Sequence, residues 1–142
     1  MAQQTILITG GCGFIGTSLI AQLLQYNPER TIRVLDNFAT GTPKDLAAIT
    51  KYIQTTSRDC KARQGVVIIQ GDIRDAETAM LCSQDIDCIV HLAANTGVGP
   101  SVENPRLDME SNVMGTFNML EAARINGVRK FIFASSGAPA GE

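Results

Sequence analysis

The stretch Thr5-Ile6-Leu7-Ile8-Thr9-Gly10-Gly11-Cys12-Gly13-Phe14-Ile15-Gly16 decides the fold. It opens with a β-branched, continuously apolar run that ends in glycine, the pattern of a parallel strand covered on both faces. Phe14, Ile15, Leu19, Ile20, Leu23 and Leu24 then recur at helical spacing until Asn27-Pro28, where proline ends the ladder. Between strand and helix, Gly10, Gly13 and Gly16 permit a tight strand exit, a close backbone approach to a pyrophosphate and close packing of helix on strand. An anion held there would rest on free amides at the positive end of the helix. The spacing is G-x-x-G-x-x-G, and such a triplet also serves a strand-to-helix turn on steric grounds alone.

The alternation continues outward from this stretch. Residues 31–35 read as a second strand, and 43–56 as a helix with Leu46, Ile49 and Ile53 on one face. Residues 66–69 form a third strand, Ala76–Cys82 a short helix and 87–92 a fourth strand. Residues 105–126 read as one long helix, with Pro105 near its start, Val113, Phe117 and Leu120 on a common face, and Gly127 just past its end. Residues 128–134 are the fifth strand. Parallel strands need crossovers of a dozen or more residues, which the helices supply. The expectation is an α/β, Rossmann-like doubly wound parallel sheet of five strands in the order 3-2-1-4-5. A chain of 142 residues holds one such domain. It is expected to be truncated after the fifth strand, with no substrate domain and an exposed sheet edge that favours self-association into a homo-oligomer.

The 12 Lys and Arg against 14 Asp and Glu, with no basic run, offer no footprint for nucleic acid. No apolar run approaches the roughly 20 residues that span a bilayer, and the N-terminus lacks a basic segment followed by a long apolar one. A soluble, cytoplasmic protein without a membrane partner is expected. Cys12, Cys60, Cys82 and Cys88 fall at no metal-ligand spacing and read as buried free thiols.

Asp36 follows the second strand, 20 residues after Gly16. An acid at that place accepts hydrogen bonds from an adenosine ribose. A 2′-phosphate would set like charges together and Arg33 points from mid-strand, so the expected cofactor is NAD, not NADP. The structural alternative for Asp36 is to cap the Asp36-Asn37 turn. Asp72, beyond the carboxyl end of the third strand, reads equally as an acceptor for an adenine amine or as a helix cap, with Asp75 closer to that helix. His91, the only histidine, lies in an apolar strand and reads as a hydrogen-bonded core imidazole before a general base. Asn112 and Gly115 sit mid-helix, where neither has good propensity, so packing or hydrogen bonding must retain them.

With these residues in hand, the sequence resembles the extended short-chain dehydrogenase/reductase superfamily, in its NAD-dependent epimerase/dehydratase branch acting on nucleotide sugars. Thr9 to Gly16 is similar to that family's pyrophosphate loop, with Gly10, Gly13, Phe14, Ile15 and Gly16 as cofactor residues, and Asp36-Asn37 to its adenosine-ribose position. Gly71-Asp72-Ile73-Arg74-Asp75 resembles the segment whose Asp and following apolar residue, here Asp72 and Ile73, meet the adenine. His91-Leu92-Ala93-Ala94 resembles the motif where small residues let the cofactor pass close to backbone. Asn112-Val113-Met114-Gly115-Thr116 is similar to the helix motif whose Asn supports the active site from behind.

The resemblance further implies a Ser/Thr pair after the fifth strand, with Ser136 matching the member that touches the substrate hydroxyl. A serine is no base at neutral pH and needs a partner. The family uses a Tyr-x-x-x-Lys pair, in which the cation lowers the tyrosine pKa. Here Tyr26 is followed at the fourth place by Arg30 and Tyr52 by Thr56, so neither tyrosine begins that pair. Pro139-Ala140-Gly141 also stands where the family has Val-Tyr-Gly. The resemblance implies the NAD-binding part of an enzyme that oxidises a sugar hydroxyl by hydride transfer. This chain alone is expected to bind cofactor without turnover. The alternative is a non-catalytic NAD-sensing or scaffold module of the same fold.

Overall fold

A computed structural model describes residues 4–60 and 64–137. The elements are β1 (Thr5–Thr9), α1 (Phe14–Tyr26), β2 (Thr31–Asp36), α2 (Pro43–Ala47), β3 (Tyr52–Thr55), β4 (Val66–Gln70), α3 (Ala76–Cys82), β5 (Cys88–His91), α4 (Val98–Glu103), α5 (Pro105–Met109), α6 (Gly115–Ile125) and β6 (Lys130–Phe133). A π-helical turn, Glu110–Met114, joins α5 to α6. Every strand pair is parallel, and the sheet order is β3-β4-β2-β1-β5-β6. The five expected strands keep their order as β4-β2-β1-β5-β6.

The sixth strand is a correction. Residues 43–56 do not form one helix: α2 ends at Ala47, and 52–55 pair along the edge of β4. Leu46 is buried, but Ile49 and Ile53 are 40% and 45% exposed, so the expected apolar face has nothing to pack on. Without a buried stripe a helix of that length lacks its main source of stability, and Ile53 and Thr55 suit an edge strand.

Successive strand residues point to opposite faces of the sheet. Leu7, Leu35, Ile69 and Ile89 face one way and pack under α3 and α6 with Ala79, Cys82, Met119 and Ala122. Ile8, Ile32, Val34 and Ile68 face the other and pack under α1 and α2 with Ile20 and Leu46. Burial on both faces is why these strands read as unbroken apolar runs. Each fully buried Leu or Ile contributes about 1.5–3 kcal/mol relative to exposure.

The long helix expected over 105–126 is helical throughout 105–125, as α5, the π turn and α6 in succession. Its expected core face, Val113, Phe117 and Leu120, is 47–60% exposed, and the buried face is Gly115, Met119, Ala122 and Ala123. One reason is close approach. A Cβ at Gly115 would lie 2.5 Å from Ile73 Cδ1, so the first turn of α6 keeps a glycine inward there. Cys12, Cys60, Cys82 and Cys88 are buried free thiols. Among the described residues no helix is long and apolar enough to cross a membrane. Residues 138–142, which include the Pro139-Ala140-Gly141 departure, lie outside the described residues.

Candidate functional site

The carboxyl ends of β1, β2, β4 and β5 lie side by side around the point where the strand order reverses, between β1 and β5, the place where open α/β sheets take ligands. Gly10 leaves β1 at φ 67°, and a Cβ there would sit 2.9 Å from the Ala93 amide nitrogen. Glycine is therefore required twice at this position, by backbone conformation and by contact. A Cβ at Gly16 would meet the Gly10 carbonyl oxygen and Gly11 Cα at 2.6 Å, which fixes how closely α1 approaches the bend. Gly13 differs: a Cβ there would have only the Gly10 oxygen, at 3.3 Å, within reach. The space above it is open. Gly13 is also the N-cap of α1 and has no side chain to cap the first turn, an arrangement whose amides suit an anion. Phe14 and Ile15 stand exposed at its mouth.

Asp36 ends β2, buried at 7% exposure. Its Oδ2 accepts from the Cys12 amide at 2.9 Å and its Oδ1 from the Phe38 amide at 2.9 Å. The acid thus ties the glycine bend to β2 and caps the following turn. A carboxylate has about four lone-pair sites, so one acceptor direction per oxygen is left for a ribose hydroxyl. Burial, then the Asp36 charge, pushes the Cys12 thiol up to about 12, so Cys12 stays protonated beside it. Arg33 is buried in the core, its guanidinium donating to the Cys82 carbonyl at 2.6 Å and the Gln84 carbonyl at 2.9 Å. No cation from β2 therefore serves a 2′-phosphate.

Gly41 lies against the Cys12-Gly13 peptide, and a Cβ on it would overlap the Cys12 carbonyl and come within 2.6 Å of the Gly13 nitrogen. Backbone cannot yield as a flexible side chain does. Gly41→Ala is therefore expected to lower folding stability by about 1–3 kcal/mol, read as a shift in the urea midpoint. An unchanged midpoint would mean that this loop does not rest on the glycine bend.

At the end of β4, Asp75 caps α3 by accepting from the Glu77 amide, which releases Asp72 from the capping role. Asp72 accepts a fork from Arg74, Nε at 3.0 Å and Nη2 at 2.8 Å, and a bond from Asn37 Nδ2 at 3.2 Å. The Arg74 hydrogen bond holds its carboxyl down at about 2. Asp72, Arg74, Asp75, Glu110 and Met114 line an open cleft of about 420 Å³. Ile73 is buried against Gly115, and Asn118 donates to the carbonyls of Ile73 and Arg74, fixing this segment on α6.

At the end of β5, the Thr9 hydroxyl accepts from the Leu92 amide at 3.2 Å and the Ala93 amide at 3.1 Å. Its proton is left for His91 Nδ1, 2.7 Å away, and His91 Nε2 then donates to the Thr116 hydroxyl at 3.0 Å. Burial holds the His91 pKa down at about 4, so the imidazole is neutral and structural. Leu92 and Ala93 are half-buried and Ala94 is exposed.

Asn112, in the π turn, accepts from the Asn95 amide at 2.7 Å and donates to the Asn95 carbonyl at 3.0 Å and to Asp108 at 3.1 Å. Its side chain grips the loop after β5. Both ends of the amide are engaged within the protein, in keeping with a residue that supports the loop from behind. Ser136 lies three residues beyond β6 and is exposed.

A family model for NAD dependent epimerases and dehydratases matches residues 6–142. The chain belongs to the NAD dependent epimerase/dehydratase family. Among relatives in this family, it is 35% identical over 125 residues to a dTDP-glucose 4,6-dehydratase of Mycobacterium tuberculosis, a span of 87% of this chain and 34% of that one. It is 35% identical over 141 residues to a UDP-glucose 4-epimerase of Yersinia enterocolitica, covering 98% of this chain and 39% of the other. A Thermus thermophilus UDP-glucose 4-epimerase solved in complex with NAD superposes with a TM-score of 0.74 at 35% identity, over 94% of this chain and 38% of that one. The chain therefore spans somewhat over a third of the length of the relatives it matches.

Sequence reasoning missed Thr9, Gly41, Asn118 and Asp108 in this family fold. Thr9, Gly41 and Asn118 work through contacts between segments far apart in the chain and carry no local signal: a threonine ending a strand and a glycine in a loop are ordinary. Only Asp108 had one, since it lies at helical i, i+4 spacing from Asn112.

Proposed function

We propose that this chain binds NAD across the carboxyl ends of its strands, as the cofactor-binding part of a nucleotide-sugar epimerase or dehydratase. The carrying observation is the Asp36 carboxylate joined to the Cys12 amide at 2.9 Å beside the uncapped start of α1. This sets an acceptor for ribose hydroxyls next to donors for a diphosphate. Gly10, Gly13, Phe14, Ile15 and Gly16 would line the diphosphate, Asp36 and Asn37 the adenosine ribose, and Asp72 and Ile73 the adenine. Leu92, Ala93 and Ala94 would border the other half of the dinucleotide, with Asn112 holding their loop from behind. NAD supplies the hydride acceptor when bound. Ser136 would touch the sugar hydroxyl.

The 142 residues contain no Tyr-x-x-x-Lys. General-base catalysis, worth roughly 10²–10⁴-fold, is then absent from them, and this chain by itself is proposed to bind without turning over. Titration calorimetry should show one NAD site per chain and weaker binding of NADP. Incubation with UDP-glucose or dTDP-glucose and NAD should give no 4-epimer and no 4-keto product. Absence of NAD binding would remove the cofactor reading, and steady turnover would remove the claim about the base.

A further inference from the structure

We infer that Asp108 is a positioning residue for the half of the dinucleotide distal to the adenosine, an inference that rests on the NAD-binding reading above. Its Oδ1 receives three donors: Ser101 Oγ at 2.8 Å, Asn95 Nδ2 at 3.1 Å and Asn112 Nδ2 at 3.1 Å. They come from three places: the loop after β5, α4, and the π turn that precedes α6. Asn112 in turn holds both the amide and the carbonyl of Asn95. One carboxyl oxygen therefore pins the stretch from Asn95 to Ser101 onto the helix pair behind it.

Geometry gives that pin a direction. The acids suited to adenosine, Asp36 and Asp72, stand at the ends of β2 and β4, on one side of the point where the strand order reverses. A dinucleotide bound across that point runs from there over the glycine bend and past the end of β5. Its second half must then lie along the loop that Asp108 fixes. The adenosine half meets Asp36, Asp72 and the glycine bend, none of which bonds to Asp108. Asp108 on α5 and Asn112 in the π turn, four residues later, lie on one helix face and meet the same partner, Asn95.

The prediction is a split between two ligands. Asp108→Ala strands three donors, and NAD affinity should fall about tenfold, while ADP, which carries only the adenosine and diphosphate, should bind as to the wild type. Asp108→Asn keeps an acceptor oxygen in place and should recover most of the NAD affinity. Ser101→Ala removes a single donor and should show the same split in smaller measure, which keeps the test informative should Asp108→Ala not fold. The inference is overturned by equal losses for NAD and ADP, or by a loss for neither. A wild-type chain that binds neither ligand instead refutes the NAD-binding reading itself.

Discussion

Asp36→Ala is expected to lower NAD affinity by about 10- to 100-fold, because hydrogen bonds to a charged group are worth about 1.5–3 kcal/mol. Two effects combine. The ribose hydroxyls lose their acceptors, and the Cys12 amide loses the carboxylate that holds the glycine bend against β2. A third consequence is local: Phe38 sits at φ 60°, a conformation unfavourable for a bulky side chain, and its amide bonds to Asp36 Oδ1. Without that bond the loop from Phe38 to Gly41 loses the contact that offsets its strain. NADP should be penalised less than NAD, since removing the carboxylate also removes repulsion of a 2′-phosphate. The NAD-to-NADP affinity ratio should therefore shrink by about tenfold. Calorimetry with both cofactors checks this, alongside circular dichroism to confirm folding. Unchanged NAD affinity in a folded variant would show that Asp36 is only a turn residue.

Folding stability should fall by about 3 kcal/mol between pH 6.5 and pH 4 through His91 alone. The imidazole has an ordinary pKa of 6.5 and is held at about 4 by burial. Its folded value is depressed, so the unfolded chain takes up the proton first as the solution is acidified. The contribution is full above pH 6.5 and is lost as pH falls toward 4. The hydrogen bonds give the cause at atomic level: the Thr9 hydroxyl, already accepting from two amides, has only its proton to offer Nδ1, and a protonated ring would meet it donor to donor. A loss of this size is a large share of the 5–15 kcal/mol that stabilises a typical domain. Asp72, held at about 2, titrates in a lower window and does not confuse the reading. His91→Gln keeps one acceptor and one donor and should flatten the profile, measured by urea unfolding at half-unit steps of pH. A flat wild-type profile, or an equally steep one in His91→Gln, would show that the ring is not held neutral by the fold.

The glycine spacing, the acid after the second strand and the ends of the buried strands were legible because each depends on neighbours in the chain. A strand covered on both faces is mostly apolar on both, so β1, β2, β4 and β5 declared themselves, with Arg33 a buried exception in β2. The failures share one cause. Leu46, Ile49 and Ile53 have helical spacing, but spacing does not say whether a surface waits to receive it, and here the edge of β4 captured residues 52–55. Val113, Phe117 and Leu120 make the more apolar stripe of the π turn and α6, yet the buried face belongs to Gly115, Met119, Ala122 and Ala123, with Gly115 allowing the close approach to Ile73.

Local order along the chain thus determined the class of fold, the position of the bend and the identity of the acid beside it, since dihedral preference and apolar periodicity act over a few residues. Tertiary structure alone decided that Asp36 reaches the Cys12 amide, that Thr9 and Thr116 hold His91 between them, and that Asp108 gathers donors from three segments. Apart from Asp108 and Asn112, which are i, i+4 neighbours, those bonds join residues that only folding brings within 3 Å or so of one another, and a pattern that repeats every two or 3.6 residues carries no record of them.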